Sequence, residues 1–354
     1  MTTQWDSQEK NTHLNQSRKT NQGTSLPKEK AIPAIIVGIG TMGYAIIRSL
    51  SSLNIPIIGI CYDRKDIGFA SKWVTQSYLA PNPFVNEEQF IQRTIELSKS
   101  IGKGLLIPAS DASLMALSHH KKELEKKYIV ACPEWDITKL LMEKKETYLL
   151  AESVSVPVAR MITPISVSDL EKYVKEIKFP CLIKPSLSHI FYRDFGTKVI
   201  KVKNLDELLL IYKKVNELGH EIMIQEYIPG DATCGVNYNS YFWDNEPLVE
   251  FTAKQIRNAP PDFGSPCVVK SHSFPEILEL GRTVLKAMGF YGYSCIEFKK
   301  DIRDSSYKLM DVNGRHNLSS LLSVQCDMNF PALQYRHLVF GERPTGQDFQ
   351  QDIY

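Results

Sequence analysis

Apolar residues in the first third of the chain come in short runs, separated by segments whose apolar residues recur at helical spacing. The runs are too short for helices and indicate buried strands at 31–37, 55–61, 105–108 and 128–132. The segment between the last two runs, 111–127, has helical spacing and begins at Ser110 or Asp111, residue types that cap helices. Strands that alternate with helices predict an α/β domain over residues 31–134.

The pattern changes after residue 134, where longer amphipathic helices are mixed with paired strands. This mixture predicts an α+β region over residues 135–345, with 346–354 as a C-terminal tail. We expect a mobile loop at 186–196, which is polar and aromatic without periodicity. The predicted helices are 137–154, 204–218 and 275–288, and the predicted strands are 179–185, 221–230, 234–242 and 247–254.

Two alternating strands flank the turn-rich segment 301–306, and together they predict a β-hairpin. If the turn lies at the centre of this segment, Glu297 and Asp311 are opposite each other, roughly 5 Å apart. Asn313 and Arg315 follow at spacings of two and share the same face. Two carboxylates and an amide oxygen suit a divalent cation, and the guanidinium suits the phosphates that such a cation carries. A hairpin with a salt-bridged polar face is the alternative.

Composition places the chain among ordinary globular proteins, with 354 residues, 43% hydrophobic and 23% charged. A net charge of +2 gives no basis for a nucleic-acid partner, and no apolar stretch approaches the roughly 20 residues that span a bilayer. The seven cysteines are spread singly, which favours reduced thiols in the cytoplasm over disulfides or a zinc site. Residues 1–30 are polar and predict a disordered tail.

A glycine-rich turn follows the first predicted strand. Gly38, Gly40 and Gly43 open a helix, and Asp63 ends the next strand, as in the fingerprint of dinucleotide-binding sites. The spacing therefore offers one function, an NAD(P)-dependent oxidoreductase. The other interpretation is that the glycines serve only a tight turn between strand and helix. Nothing in the second half of the chain indicates a hydride-transfer site, which favours the turn.

The motifs of the second half stand in a recognisable order. Lys144 precedes a helix that ends at Ser155-Val156-Pro157, and Lys184 lies between apolar residues and Pro185 at the end of a strand. The segment Gln-Glu-Tyr-Ile-Pro-Gly-Asp at 225–231 follows, then Lys-Gln-Ile-Arg at 254–257, and then the hairpin. From about residue 31 to 345 this order resembles the ATP-grasp carboxylate–amine ligases, and it is closest to the branch that includes D-aspartate ligases.

The resemblance implies a Rossmann-like pre-ATP-grasp domain at 31–134, followed by an ATP-grasp fold of two α+β subdomains with a hinge near 225–230. It implies metal binding by Glu297, Asp311 and Asn313, and catalytic roles for Lys184, Arg257 and Arg315. The nucleotide-binding residues that it implies are Lys144, Lys184, Gln225, Glu226, Tyr227, Ile228 and Asp231. Lys145 is an alternative to Lys144, and Ser110 and Asp111 are expected to contact substrate.

The function implied is that of an ATP-dependent ligase. Such an enzyme activates a carboxylate as an acyl phosphate and joins it to an amine, with ATP and Mg²⁺ or Mn²⁺, on an amino acid or small peptide. A homodimer is the default assembly. Ser155 stands where the family has Gly, and Asp311 stands where it has Glu. These departures leave room for a non-catalytic nucleotide-binding module.

Overall fold

The computed structural model describes residues 31–173, 177–185, 191, 194–197, 199–261, 263–346 and 348–354. The predicted tail at 1–30 and most of the predicted loop at 186–196 lie outside the described residues. Within the described part, no helix combines the length and the apolar character needed to cross a membrane.

The first part of the chain builds a five-stranded parallel sheet in the order β3-β2-β1-β4-β5. Strands β1, β2 and β4 are buried apolar runs, as expected of a sheet that helices cover on both faces, whereas the edge strand β3 is mostly polar and partly exposed. The chain runs outward from β1 in one direction and from β4 in the other, so ligands are expected at the β1/β4 crevice. The elements are β1 (Ala34–Val37), α1 (Thr41–Leu50), β2 (Ile57–Cys61), β3 (Gln76–Leu79), α2 (Glu87–Ile101), β4 (Leu105–Pro108), α3 (Asp111–His119), α4 (Lys121–Leu124) and β5 (Ile129–Val130).

A four-stranded antiparallel sheet follows, in the order β6-β9-β7-β8. One of its faces packs on helices through an apolar core that includes Ile183, Leu208 and Ile224. The elements of this part are α5 (Trp135–Met142), α6 (Lys144–Ser153), β6 (Met161–Ile162), α7 (Val167–Tyr173), β7 (Cys181–Pro185), β8 (Ile200–Val202), α8 (Leu205–Glu217) and β9 (Ile222–Glu226).

The last part is a five-stranded antiparallel sheet in the order β12-β11-β10-β13-β14. The predicted hairpin forms its β13–β14 edge. The elements are β10 (Gly235–Trp243), β11 (Glu246–Ala259), β12 (Ser265–Ser271), α9 (Pro275–Ala287), β13 (Gly292–Lys300), β14 (Tyr307–Asn313), α10 (Ser320–Gln325) and α11 (Phe330–Phe340).

The three sheets are tied together by packing that crosses the predicted boundaries. Tyr335 of α11 is buried in the core of the first sheet, although it lies late in the sequence. The C-terminal segment joins β12 through Ser271, which exchanges backbone hydrogen bonds with Asp352 and Ile353. The end of the chain is therefore packed against the third sheet.

Candidate active site

The predicted phosphate and metal residues line one cleft. Its volume is about 840 Å³, and its walls come from both antiparallel sheets and from the first domain. Residues that the sequence analysis singled out and that line this cleft are Asp111, Lys144, Lys145, Lys184, Glu297, Asp311 and Arg315. A smaller adjoining pocket of about 490 Å³ shares Glu297, Asp311 and Arg315 with the cleft and adds Asn313.

The hairpin places its two carboxylates as the spacing predicts. Glu297 pairs with Asp311 across β13 and β14, and Cys295 pairs with Asn313. One feature of the hairpin, a β-bulge, was not predicted. The register shifts by one residue immediately beyond Glu297, on the side toward the turn. The outer pairs, from Phe298–Leu309 to Lys300–Tyr307, would by themselves place Glu297 opposite Met310. The bulge at Met310 is therefore what brings Asp311 opposite Glu297.

Charges in the cleft are strongly coupled. Burial and the nearby Asp311 raise the pKa of Glu297 to about 7. The Nζ of Lys144 lies 3.5 Å from an Asp311 carboxylate oxygen, and this attraction raises the pKa of Lys144. Burial, reinforced by the charge of Lys144, lowers the pKa of Lys184 to about 8. The two lysines repel each other, and the two carboxylates repel each other. A bound anion would reduce the first repulsion, and a bound cation would reduce the second.

Helix α6 favours Lys144 over the adjacent Lys145 as the candidate phosphate-binding lysine. Lys144 is the first residue of the helix and pairs with Asp311, whereas Lys145 is exposed at the rim. The helix ends at Ser153, and Ser155 then adopts a left-handed backbone with φ of 61°. Glycine reaches this conformation without strain, which gives a physical reason for the glycine that the resemblance led us to expect there.

A third pocket, of about 210 Å³, is lined by Lys184 and combines apolar and aromatic walls with the polar side chains of Gln255, Asn258, Glu297 and Lys299. Its apolar and aromatic walls are Leu182, Val199, Tyr227, Ile228, Phe263, Phe298 and Met310. The Nζ of Lys201 lies 3.7 Å from the centre of the Tyr227 ring, a cation–π contact that fixes this wall.

Two residues of the 225–228 motif act as supports. Gln225 is buried, and its amide donates to the Tyr148 hydroxyl, which in turn donates to the carbonyl of Met310 at 2.8 Å. This chain of bonds connects β9 to the hairpin across the cleft. The Glu226 carboxylate accepts from Arg303 at 2.6 Å, and its backbone amide donates to the Arg160 carbonyl at 2.8 Å.

Two predicted site residues lie apart from these pockets. The Asp231 carboxylate accepts hydrogen bonds from the backbone amide and the hydroxyl of Thr233, and so it caps a short helical turn. Arg257 is exposed on β11, where the register is irregular between Gln255 and Asn258. Neither Asp231 nor Arg257 lines the three pockets described above, so their roles stay predictions.

The donor set suits a metal that shares its coordination with phosphate. In the described part of the chain, no three His, Cys, Asp or Glu side chains converge as a complete metal cage. Glu297, Asp311 and Asn313 line one pocket and provide two carboxylates and an amide. Magnesium ions are typically held by one or two carboxylates together with substrate phosphates and water, so these residues fit the ion.

Solved structures of other proteins share the overall fold of this chain. The biotin carboxylase domain of Hydrogenobacter thermophilus 2-oxoglutarate carboxylase, solved with MgADP, ADP and bicarbonate, superposes with a TM-score of 0.69 at 17% identity, covering 90% of this chain and 72% of that one. An L-amino acid ligase from Bacillus licheniformis gives a TM-score of 0.68 at 14% identity, covering 89% and 78%. The chain has the ATP-grasp fold. The predicted fold class is confirmed.

Sequence relatives agree with the ATP-grasp fold. A D-aspartate ligase of Enterococcus faecium (strain Aus0004) is 23% identical over 281 residues, which cover 73% of this chain and 65% of the relative. A D-alanine–D-alanine ligase of Ectopseudomonas mendocina (strain ymp) is 21% identical, covering 60% and 63%. The chain thus spans a little under two thirds of these curated relatives. No protein-family model matches it. The predicted resemblance to D-aspartate ligase is confirmed.

The glycine turn has a structural role in this ATP-grasp chain. A side chain on Gly43 would come within 2.2 Å of the Gly38 carbonyl oxygen, so the turn requires glycine for close packing alone. The Asp63 carboxylate accepts from the Lys65 amide within its own turn. These contacts give Gly43 and Asp63 structural roles, whereas a side chain on Gly40 would meet no atom within 4 Å, so packing does not explain that glycine.

Sequence reasoning missed several residues that line the pocket adjoining the cleft. The pocket of about 490 Å³ is also lined by Thr41, Met42, Asn237, Ser265, Pro266, Asn317, Leu318 and Ser319. These residues come from separate elements and carry no charge, so no spacing rule connects them. Asp111 was expected near the substrate, and it lies in the cleft. Its bidentate bond to Arg315 was not predicted.

Proposed function

We propose that this chain is an ATP-dependent carboxylate–amine ligase. The observation that carries the proposal is the convergence of Lys144, Lys184, Glu297, Asp311 and Arg315 on one cleft between the two antiparallel sheets. Lysine and arginine side chains neutralise the charge of a nucleoside triphosphate and the charge that develops during phosphoryl transfer, and carboxylates hold the accompanying metal ion. The names of the sequence relatives, which are ligases that join amino acids, support the same reaction class.

Each group has a role in the proposed reaction. Glu297, Asp311 and Asn313 would hold Mg²⁺, or Mn²⁺ in its place, which supplies Lewis-acid charge at the phosphates. Lys144 and Lys184 would hold phosphate oxygens of ATP, and the apolar pocket at Tyr227 and Ile228 would take the base.

The chemistry has two steps. A carboxylate oxygen of the substrate attacks the γ-phosphorus, the bond from that phosphorus to the β–γ bridging oxygen breaks, and ADP leaves. An amine then attacks the acyl carbon and releases phosphate. Arg315 would stabilise the charge of the acyl phosphate and of the tetrahedral intermediate. Lys184 would assist the transfer, whereas the exposed Arg257 would act only if its side chain reaches the bound substrate.

The substrate class follows the relatives. A D-aspartate ligase, D-alanine–D-alanine ligases and an L-amino acid ligase all carry amino acids in their names. We therefore infer that an amino acid or small peptide supplies at least one reacting group. A cytoplasmic location is supported by seven cysteines that are all free thiols. A homodimer is proposed on symmetry grounds and by analogy with the dimeric biotin carboxylase domain.

Hydroxylamine trapping tests this proposal directly. The protein is incubated with MgATP, hydroxylamine and one amino acid at a time, beginning with D-aspartate and D-alanine. An acyl phosphate is expected to be captured as the hydroxamate, with one ADP formed per hydroxamate. Glu297→Gln is the matched control and should abolish both products. Binding of MgATP without hydroxamate for any D- or L-amino acid would favour the non-catalytic module.

A further inference from the structure

The carboxylate-binding edge of Arg315 is already occupied. Its Nε donates to Oδ1 of Asp111 at 2.7 Å, and its Nη2 donates to Oδ2 at 3.1 Å. This two-point arrangement is the one that guanidinium groups use to bind a carboxylate. The remaining nitrogen, Nη1, faces the carbonyl of His316 at 3.5 Å. Every nitrogen of the guanidinium therefore has a protein acceptor.

The pair joins the first domain to the third sheet at the cleft. Asp111 is the first residue of α3, at the carboxyl end of β4, and Arg315 lies 204 positions later in the chain, just after β14. The Asp111 side chain is 53% exposed, whereas that of Arg315 is 13% exposed. The aspartate is therefore the partner that can move into solvent, while the arginine is held in place.

The pair also lies beside the phosphate residues. Asp111 and Arg315 line the same cleft as Lys144, Glu297 and Asp311. A substrate carboxylate that reaches this point meets a guanidinium whose best edge is taken by a carboxylate of the protein. Binding then requires exchange of one carboxylate for another on the same two donors.

We propose that Asp111 is a positioning residue that masks Arg315 until a substrate carboxylate displaces it. The inference rests on the proposed ligase function and adds a control on when Arg315 takes part. Without a carboxylate substrate, water could attack the γ-phosphorus and release ADP and phosphate. A masked Arg315 gives that reaction no charge stabilisation, so futile hydrolysis is held down. With a substrate bound, Arg315 turns its donor edge to the reacting group.

Asp111→Asn tests the mask because it keeps the size of the side chain and removes its charge. The expected result is a rise of about fivefold or more in phosphate release from MgATP without substrate. With the carboxylate identified by hydroxylamine trapping, KM for that carboxylate should fall while kcat stays near wild type. Asp111→Glu, which restores the charge, should return hydrolysis toward the wild-type rate.

Glu134→Gln is the matched control. Glu134 joins the first domain to Tyr291 near β13 and also accepts from Lys121 at 2.8 Å, outside the cleft. Its loss should lower the melting temperature without raising hydrolysis. A purely structural role for Asp111 would give the same pattern in Asp111→Asn, and that result would overturn the proposal.

A second readout separates this proposal from the ligase function. Phenylglyoxal modifies accessible arginines, and peptide mass spectrometry reports the rate at Arg315. Faster modification in Asp111→Asn, with an unchanged rate in Glu134→Gln, supports the mask. An unchanged rate in both variants overturns it, whatever the trapping experiment gives. Absence of hydroxamate in the wild type overturns the ligase function, and with it the role of the mask in catalysis.

Discussion

The two ends of the cleft differ in the charge of the side chains that line them. The nucleotide end, where we propose that ATP binds, combines a partly apolar pocket with a cluster of lysines: Lys144, Lys145 and Lys184 line the cleft, and Lys299 lines the pocket beside Lys184. The substrate end is the adjoining pocket, where neutral amide, hydroxyl and apolar side chains surround Glu297 and Asp311, and where the cation, Arg315, is already paired with Asp111. We propose that the lysines at the first end serve affinity for phosphate, whereas the neutral side chains at the second end select substrates by shape and hydrogen bonding.

This contrast teaches how variants should separate. Changes at the nucleotide end should act on MgATP binding and on phosphoryl transfer together, because the same lysines and carboxylates serve both. Changes at the substrate end should act on KM for the carboxylate and leave KM for ATP unchanged. A variant that fails this separation shows that the two ends are coupled.

The largest expected effect is at the boundary between the two ends. Glu297→Gln keeps the size of the side chain and removes one carboxylate from the pair with Asp111. We expect kcat to fall by about 10²–10³-fold, because the transition state loses fixed charge. Steady-state ADP release measures it, with the exposed Glu279→Gln on α9 as control. A kcat within a few-fold of wild type would remove Glu297 from the metal site.

An added negative charge tests the substrate end of the cleft. Ser319→Asp places a carboxylate in the pocket that contains Arg315. KM for the carboxylate substrate should rise by about tenfold or more, because like charges repel in a partly buried pocket. KM for ATP should stay unchanged. Ser319→Asn, which is similar in size without the charge, is the control, and an equal effect in both variants would indicate a steric cause.

The pH dependence of nucleotide affinity tests the nucleotide end of the cleft. Burial lowers the pKa of Lys184 to about 8, and bound phosphates would raise it again. Lys184 is charged below that pH, so its contribution to MgATP affinity should be level there and should fall above pH 8, by up to about tenfold per pH unit. Glu297, with a pKa of about 7, is ionised above pH 8, so its titration does not add to this slope. Calorimetry between pH 7 and 10 measures this slope.

Lys184→Arg stays charged throughout the same range and provides the control. The slope above pH 8 should disappear in this variant. A wild-type affinity that does not change with pH would mean that Lys184 does not contact the nucleotide.

The smallest effect concerns stability. Ser155 holds a left-handed backbone at the end of α6, with φ of 61°. Ser155→Gly should raise the free energy of unfolding by about 0.5–1 kcal/mol, because glycine removes that strain and returns part of the gain as entropy of the unfolded chain. Ser153→Gly, in the last helical turn, should lower it by a similar amount. Denaturant titration measures both, and equal signs would refute the argument.

Local patterns predicted much of the fold and part of the site. The opposition of Glu297 and Asp311 was predicted from a turn at the centre of residues 301–306, but in the structure it depends on the bulge at Met310, which spacing alone does not reveal. The parallel sheet followed from apolar runs separated by helical segments. Strand β11 was predicted to end near residue 254 but continues to Ala259 through irregular register around Arg257. Bulges change which face a residue occupies, and alternation cannot reveal them.

Contacts between distant parts of the chain were beyond local patterns. The Asp111–Arg315 bond joins residues 204 positions apart, and the neutral lining at Asn237 and Ser319 has no signature of its own. Such contacts arise from how the three sheets pack. The resemblance to ATP-grasp ligases gave the order of the phosphate and metal residues, but not this packing.

A thermal-shift comparison of MgATP, NADH and NADPH tests the central claim most directly. At about 100 times its dissociation constant, a ligand should stabilise the native state by roughly 2.7 kcal/mol, which is a readable shift for a chain of this size. The account predicts a shift with MgATP that Glu297→Gln weakens, and no shift with either dinucleotide. A shift with a dinucleotide alone would assign the glycine turn as the binding site and contradict the assignment of the cleft.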